Sequence, residues 1–141
     1  MSLDKIDLQF IQPYAEISDE LKHNNILKVW KALKLSTPTS FIFMSDDDLL
    51  EINKSALNHD YYTDVITFDY DDPDIEFNEV LISAERITEH AETYKTSVIH
   101  EAYRVCVHGL LHLAGFDDQT MEDKQEMTRL ENHYLDLYCS T

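Results

Sequence analysis

Glycine is almost missing from this chain. Only Gly109 and Gly115 occur in its 141 residues, and only three prolines accompany them. That shortage excludes a long flexible linker. It also places the backbone's free access to unusual torsions in one short stretch. Cysteine is scarce too, with Cys106 on an apolar segment and Cys139 near the C-terminus. Two such thiols do not make a disulfide framework, so a reduced, cytoplasmic setting is expected. No long apolar segment follows Met1-Ser2-Leu3-Asp4-Lys5, so no secretory signal is expected. The longest apolar run, around Val105 to Phe116, falls short of a membrane span and carries two histidines. Basic residues are few: 11 Lys and Arg stand against 28 Asp and Glu, a net charge of −17. Nucleic-acid binders tend to be basic, so this balance stands against a polyanionic partner.

What remains is the make-up of one globular domain, 43% hydrophobic and 28% charged. Strands are expected at Ile6–Ile11, Phe41–Met44, Asp64–Tyr70 and Glu79–Ser83, from their β-branched and aromatic content. The last two read as a hairpin around Asp71-Asp72-Pro73-Asp74. Helical spacing of apolar residues predicts helices over Asp19–Leu35 with Ser18 as N-cap, from Asp46 onward, over Glu85–Tyr94, over Ser97–Ala114, and from Met121 to about Tyr138 with Thr120 as cap. Strands and helices intermix without a βαβ rhythm. The expected fold is therefore α+β: a single domain, residues 1–141, with a mixed sheet of about four strands packed with about five helices.

The richest stretch is His108-Gly109-Leu110-Leu111-His112-Leu113-Ala114-Gly115-Phe116-Asp117-Asp118. Histidines four apart share one face of a helix. The surrounding segment is apolar on most sides, so its polar stripe needs a buried partner. That partner is either a metal ion or a hydrogen-bond network. Gly115 ends the helix and the acids follow at once, which favours metal. His108, His112 and Asp118 are the candidate ligands, with Asp117 as a rival for the third place. The metal site thus falls at the end of the central helix. The spacing is similar to the His-x3-His-x2-Gly-x2-His of metzincin proteases. Those enzymes carry a catalytic glutamate where this chain has Gly109, which supports the metal and weakens peptide hydrolysis.

The motif more closely resembles that of the YbeY family of metal-dependent endoribonucleases, His-Gly-x-Leu-His-Leu-x-Gly-Tyr-Asp-His. Thr63-Asp64-Val65-Ile66-Thr67-Phe68 is similar to that family's Thr-Asp-Val-Leu-Ser-Phe, and Glu79-Val80-Leu81-Ile82-Ser83 to its Gly-Asp-Ile-x-Ile-Ser strand. The resemblance implies a single-strand-specific endoribonuclease of rRNA maturation and ribosome quality control. It implies precursor rRNA and the ribosome as partners, no membrane, and one divalent ion, with zinc expected. Two positions depart from the pattern. Asp118 stands where the family has a third histidine; two histidines and a carboxylate are still a catalytic zinc set. Leu57 stands where the family has an arginine toward the phosphodiester.

Arg104, one turn before His108, is a substitute for that arginine or simply the ion-pair partner of Glu101 or another acid. Asp64 and Glu101 are candidate general bases, each also readable as a turn cap or as a hydrogen-bond partner behind a ligand histidine. Lys28, Lys31 and Lys34 form the visible basic group, which suits a solvated face. His23, His59, His90, His100 and His133 show no ligand pattern. Met127, Leu130, Tyr134, Leu137 and Tyr138 are expected to pack the last helix on the core. The acidic run Asp69, Asp71, Asp72, Asp74, Glu76 and Glu79 should repel RNA, so a ribosomal or other protein partner is expected to present it. Competing readings are a metal hydrolase of another substrate class, a two-histidine one-carboxylate iron oxygenase, and a ribosome-associated binding factor with a structural metal.

Overall fold

The computed structural model describes residues 6–11, 14–70, 74 and 76–140. Four strands, β1 (Ile6–Phe10), β2 (Thr39–Met44), β3 (Val65–Phe68) and β4 (Asn78–Ser83), form one mixed sheet in the order β1-β2-β4-β3. β1 and β4 flank β2 in parallel, and β3 runs antiparallel to β4 with Val65 opposite Ile82 and Phe68 opposite Glu79. The expected pairing of the last two strands is therefore present. Residues 71–73 and 75 of its connection lie outside the described residues.

Period-two alternation divides the sheet's side chains between two cores. Phe41, Phe43, Val80 and Ile82 join the large cluster with the buried side of the helix α5 (Val98–Leu113). Met44, Leu81 and Ile66 face the other way and meet Leu49 of α3 (Asp46–Leu57). Around the large core lie α2 (His23–Ala32), α4 (Ala84–Tyr94) and α6 (Met121–Tyr138); a single helical turn, α1 (Ala15–Ser18), precedes α2. Among the described residues, five helices of 10 to 18 residues and a four-stranded mixed sheet are the α+β architecture expected from the sequence.

Local chemistry explains where the helices begin. Ser45, Ser83, Ser97 and Thr120 cap α3, α4, α5 and α6 by accepting the backbone N–H three residues on. The start of α2 departs from expectation. Ser18 closes α1 rather than capping a helix from Asp19, and α2 begins only at His23. The cause is tertiary: the hydroxyl of fully buried Tyr103 accepts the Lys22 N–H at 2.7 Å and an Asn25 side-chain N–H at 3.1 Å. Lys22 is thereby held in an extended conformation just before the first turn. Lys34 lies past the end of α2 with a φ of 59°, and Lys28, Lys31 and Lys34 are all solvent-exposed. On α6, Leu135 rather than Leu137 is buried, and Leu137 is exposed.

Candidate metal centre

Helix α5 is the central element. Ala102, Cys106, Val107, Leu110 and Leu111 are fully buried, and Gly109 lets the helix lie close against β4. A methyl group at Gly109 would stand 2.8 Å from a Val80 methyl, too close without a shift. The contact sets how far the end of α5 sits from the sheet. His108 and His112 project from its last two turns on one side, each partly buried.

The turn after α5 brings in the third group. Gly115 adopts a φ of 100°, in the region that favours glycine. The Gly115 N–H bonds to the His112 carbonyl and the Phe116 N–H to the Leu111 carbonyl, both at 3.0 Å. These two bonds are a Schellman cap, which stops the helix and reverses the chain. Asp117 is exposed, and its side chain accepts the Asp118 N–H at 2.8 Å. Asp117 therefore shapes the turn, and Asp118 reaches the histidines.

Three donor atoms converge. His108 Nε2 and His112 Nε2 are 3.0 Å apart, and Asp118 Oδ2 lies 3.4 Å from the first and 3.5 Å from the second. Donors held about 2.0–2.1 Å from a tetrahedral zinc ion stand about 3.3–3.4 Å from one another. The triangle therefore fits one small divalent cation, with a side left open. Among the described residues, His108, His112 and Asp118 form the cluster able to share an ion.

The protonation of His108 is settled from behind. Glu131, on α6 and only 7% exposed, lies with its Oε2 2.7 Å from His108 Nδ1. A carboxylate accepts, so Nδ1 carries the proton and Nε2 turns its lone pair to the cluster. The other Glu131 oxygen accepts from Arg104 at 3.0 Å. Arg104 also donates to Asn132 at 2.8 Å and lies 3.9 Å from Glu101. Of the two readings of Arg104, the ion pair is the one observed. Desolvation is the largest influence on His108 and lowers its pKa, but the Glu131 hydrogen bond and the negative charges of Glu131, Asp118 and Asp64 outweigh it and leave the pKa raised.

Sequence reasoning missed Glu131. The signal was its position between Met127 and Leu135, one helical turn from each on the buried side of α6. An acid centred in an apolar stripe calls for a buried partner. Of the two candidate bases, Asp64 lines the open cavity of about 410 Å³ above the cluster, together with Thr63, Thr67 and Asp69 from the β3 side. Buried Glu101 lies instead along an adjoining cavity. The residues lining the first cavity include Asp64, Asp69 and Asp118 and no Lys or Arg, so its field favours a cation. Leu57 is 39% exposed and does not line that cavity; it lines a neighbouring hollow beside His59 and Tyr61 that shares Thr63, Val65 and Thr67 with it. His100 also faces elsewhere.

Fold and site together describe an α+β protein with a cluster of three potential metal donors at the end of its central helix, side chains of the kind catalytic zinc sites use. Comparison with known proteins makes this specific. The family described as Endoribonuclease YbeY matches residues 9–138, and the chain belongs to that family. A relative named Endoribonuclease YbeY from Amoebophilus asiaticus is 40% identical over 131 residues, covering 92% of this chain and 86% of that one. Another of the same name, from Azobacteroides pseudotrichonymphae, is 43% identical over 95 residues, 67% of this chain and 68% of its own. A solution structure from Thermotoga maritima shares the fold, with a TM-score of 0.64 at 22% identity over 94% of this chain and 91% of that one.

Proposed function

We propose that this protein is a metal-dependent endoribonuclease that cuts single-stranded RNA in the cytoplasm, acting in rRNA maturation and ribosome quality control. One observation carries the metal dependence: two imidazole nitrogens and a carboxylate oxygen meet within 3.5 Å at the edge of an open acidic cavity. Family membership supports the endoribonuclease activity. Among the described residues no helix is long and apolar enough to cross a membrane.

His108, His112 and Asp118 would hold the ion, zinc by its donor set. When bound, it supplies Lewis acidity toward the phosphodiester and makes water a better nucleophile at neutral pH. The protein's own residues do the positioning. Glu131 keeps the His108 ring in one tautomer and one orientation, and Arg104 steadies Glu131. Asp64, on the wall of the cavity, is the sequence-derived candidate for proton acceptor that the structure places beside the cluster. Asp118, by bringing a negative charge where a third histidine would be neutral, would suit a harder divalent ion than three imidazoles would.

A second reading draws on the acidic cavity and on Leu57. With no Lys or Arg among that cavity's described lining residues to meet a phosphate, the chain would serve as a ribosome-associated factor that keeps its metal for structure. Elemental analysis of the purified protein beside its His112→Ala variant, each incubated with precursor rRNA, separates the two. The enzyme reading expects stoichiometric metal and cutting in the parent and neither in the variant. Metal and ribosome binding without cutting would leave the structural role.

A further inference from the structure

The net charge of −17 poses a question that the metal centre leaves open: what holds an RNA strand against an acidic protein? Three hollows adjoin along one side of the molecule. The metal cavity shares Asp64, Val65, His108 and Asp118 with a neighbour of about 290 Å³. That neighbour in turn shares Tyr94, Glu101, Arg104 and Glu131 with a third hollow of about 560 Å³. The result is a continuous trough from the donor cluster to the end of α4.

The far hollow is not built for phosphate. Among its described lining residues Arg104 is the one Lys or Arg, and it is already engaged by Glu131 and Asn132. It is built of planar groups. Tyr94 is 69% exposed, and His90 meets its ring edge-on, with centroids 6.0 Å apart at 62°. His100, the Asn132 amide and Thr128 complete a polar rim. Nucleobases are neutral, stack on aromatic faces and hydrogen-bond through their edges, so an acidic wall opposes them far less than it opposes phosphates.

We propose that the hollow beside Tyr94 is a nucleobase subsite, in which one base of a single-stranded RNA stacks on the Tyr94 ring while the strand runs along the trough to His108, His112 and Asp118. The subsite rests on the endoribonuclease reading and adds how the substrate is gripped: by bases more than by backbone charge. Affinity should then fall only gently with salt, with a log–log slope shallower than about −1.5, the equivalent of about two phosphate contacts.

The test uses the full-length, zinc-loaded protein and a fluorescent eight-nucleotide single-stranded RNA carrying 5-bromouridine, read by anisotropy, by ultraviolet cross-linking and by cleavage kinetics. Tyr94→Ala is expected to weaken binding at least about fivefold and raise KM with kcat little changed. Tyr94→Phe should bind like the parent, and the cross-link should map to Tyr94. His112→Ala should lose cleavage while keeping most of the affinity. Parent-like binding by Tyr94→Ala, or a steep salt slope with no cross-link at Tyr94, overturns the subsite and leaves the endoribonuclease reading standing. A parent protein that neither binds nor cuts the RNA overturns both.

Discussion

Helices α5 and α6 both supply a polar group to the same centre, yet they differ in how openly they show it. α5 is apolar on most sides, so His108 and His112 stand out against Ala102, Cys106, Val107, Leu110 and Leu111. α6 is crowded with acids, and Glu122, Asp123 and Glu126 in its first turns surround the signal from Glu131 with harmless examples of the same chemistry. Contrast, more than residue type, decides which functional groups a sequence reveals. A donor on an apolar helix must be explained; an acid among acids is excused as solvated.

That comparison breaks most decisively at the donors. His112→Ala is expected to abolish stoichiometric metal binding, read by elemental analysis, with helical content by circular dichroism unchanged. Next comes Glu131→Gln. If it orients His108 as the geometry indicates, it should weaken zinc affinity about 10- to 100-fold in a chelator competition. Glu126→Gln, one helical turn and more away and paired with Arg129 at the surface, should leave that affinity alone. Equal effects from both acids would erase the distinction drawn between them.

Packing gives a third contrast. Gly109→Ala on α5 forces a methyl onto Val80 and should cost about 1–3 kcal/mol, read from urea denaturation. The two thiols, one on α5 and one ending α6, give the smallest effect near neutral pH. Both are free and buried. Burial pushes Cys106 well above the usual thiol range and Cys139 up to about 11. The sign follows from proton linkage: between pH 9 and about 11 the unfolded Cys139 loses its proton while the folded one keeps it. Its stabilising contribution is full below pH 9 and declines through that window. Thermal melts of Cys139→Ala should show a shallower alkaline decline than the parent.

What was legible in the sequence follows the same logic. The strands, the Thr120 cap and the approach of Asp118 to His108 and His112 rest on local patterns and appear where those patterns placed them, whereas Ser18 does not cap the helix it was expected to begin. The start of α2 was not legible, because the Tyr103 hydroxyl that fixes Lys22 comes from a helix far along the chain. Nor was the role of Gly109. Read alone it marks a missing protease base; packed, it is the point of closest approach between helix and sheet. Leu135 and Leu137 share a helix and a residue type, so only the neighbours of α6 decide which one is covered.

The Schellman cap at Gly115 carries a wider consequence. Two donors ride on a rigid rod, and the third arrives on a short reverse bend whose geometry depends on backbone bonds and a glycine, not on the donor it delivers. The identity of that donor is therefore an exchangeable part. Asp118→His should retune the acidity and ion preference of the centre without asking the rest of the protein to move.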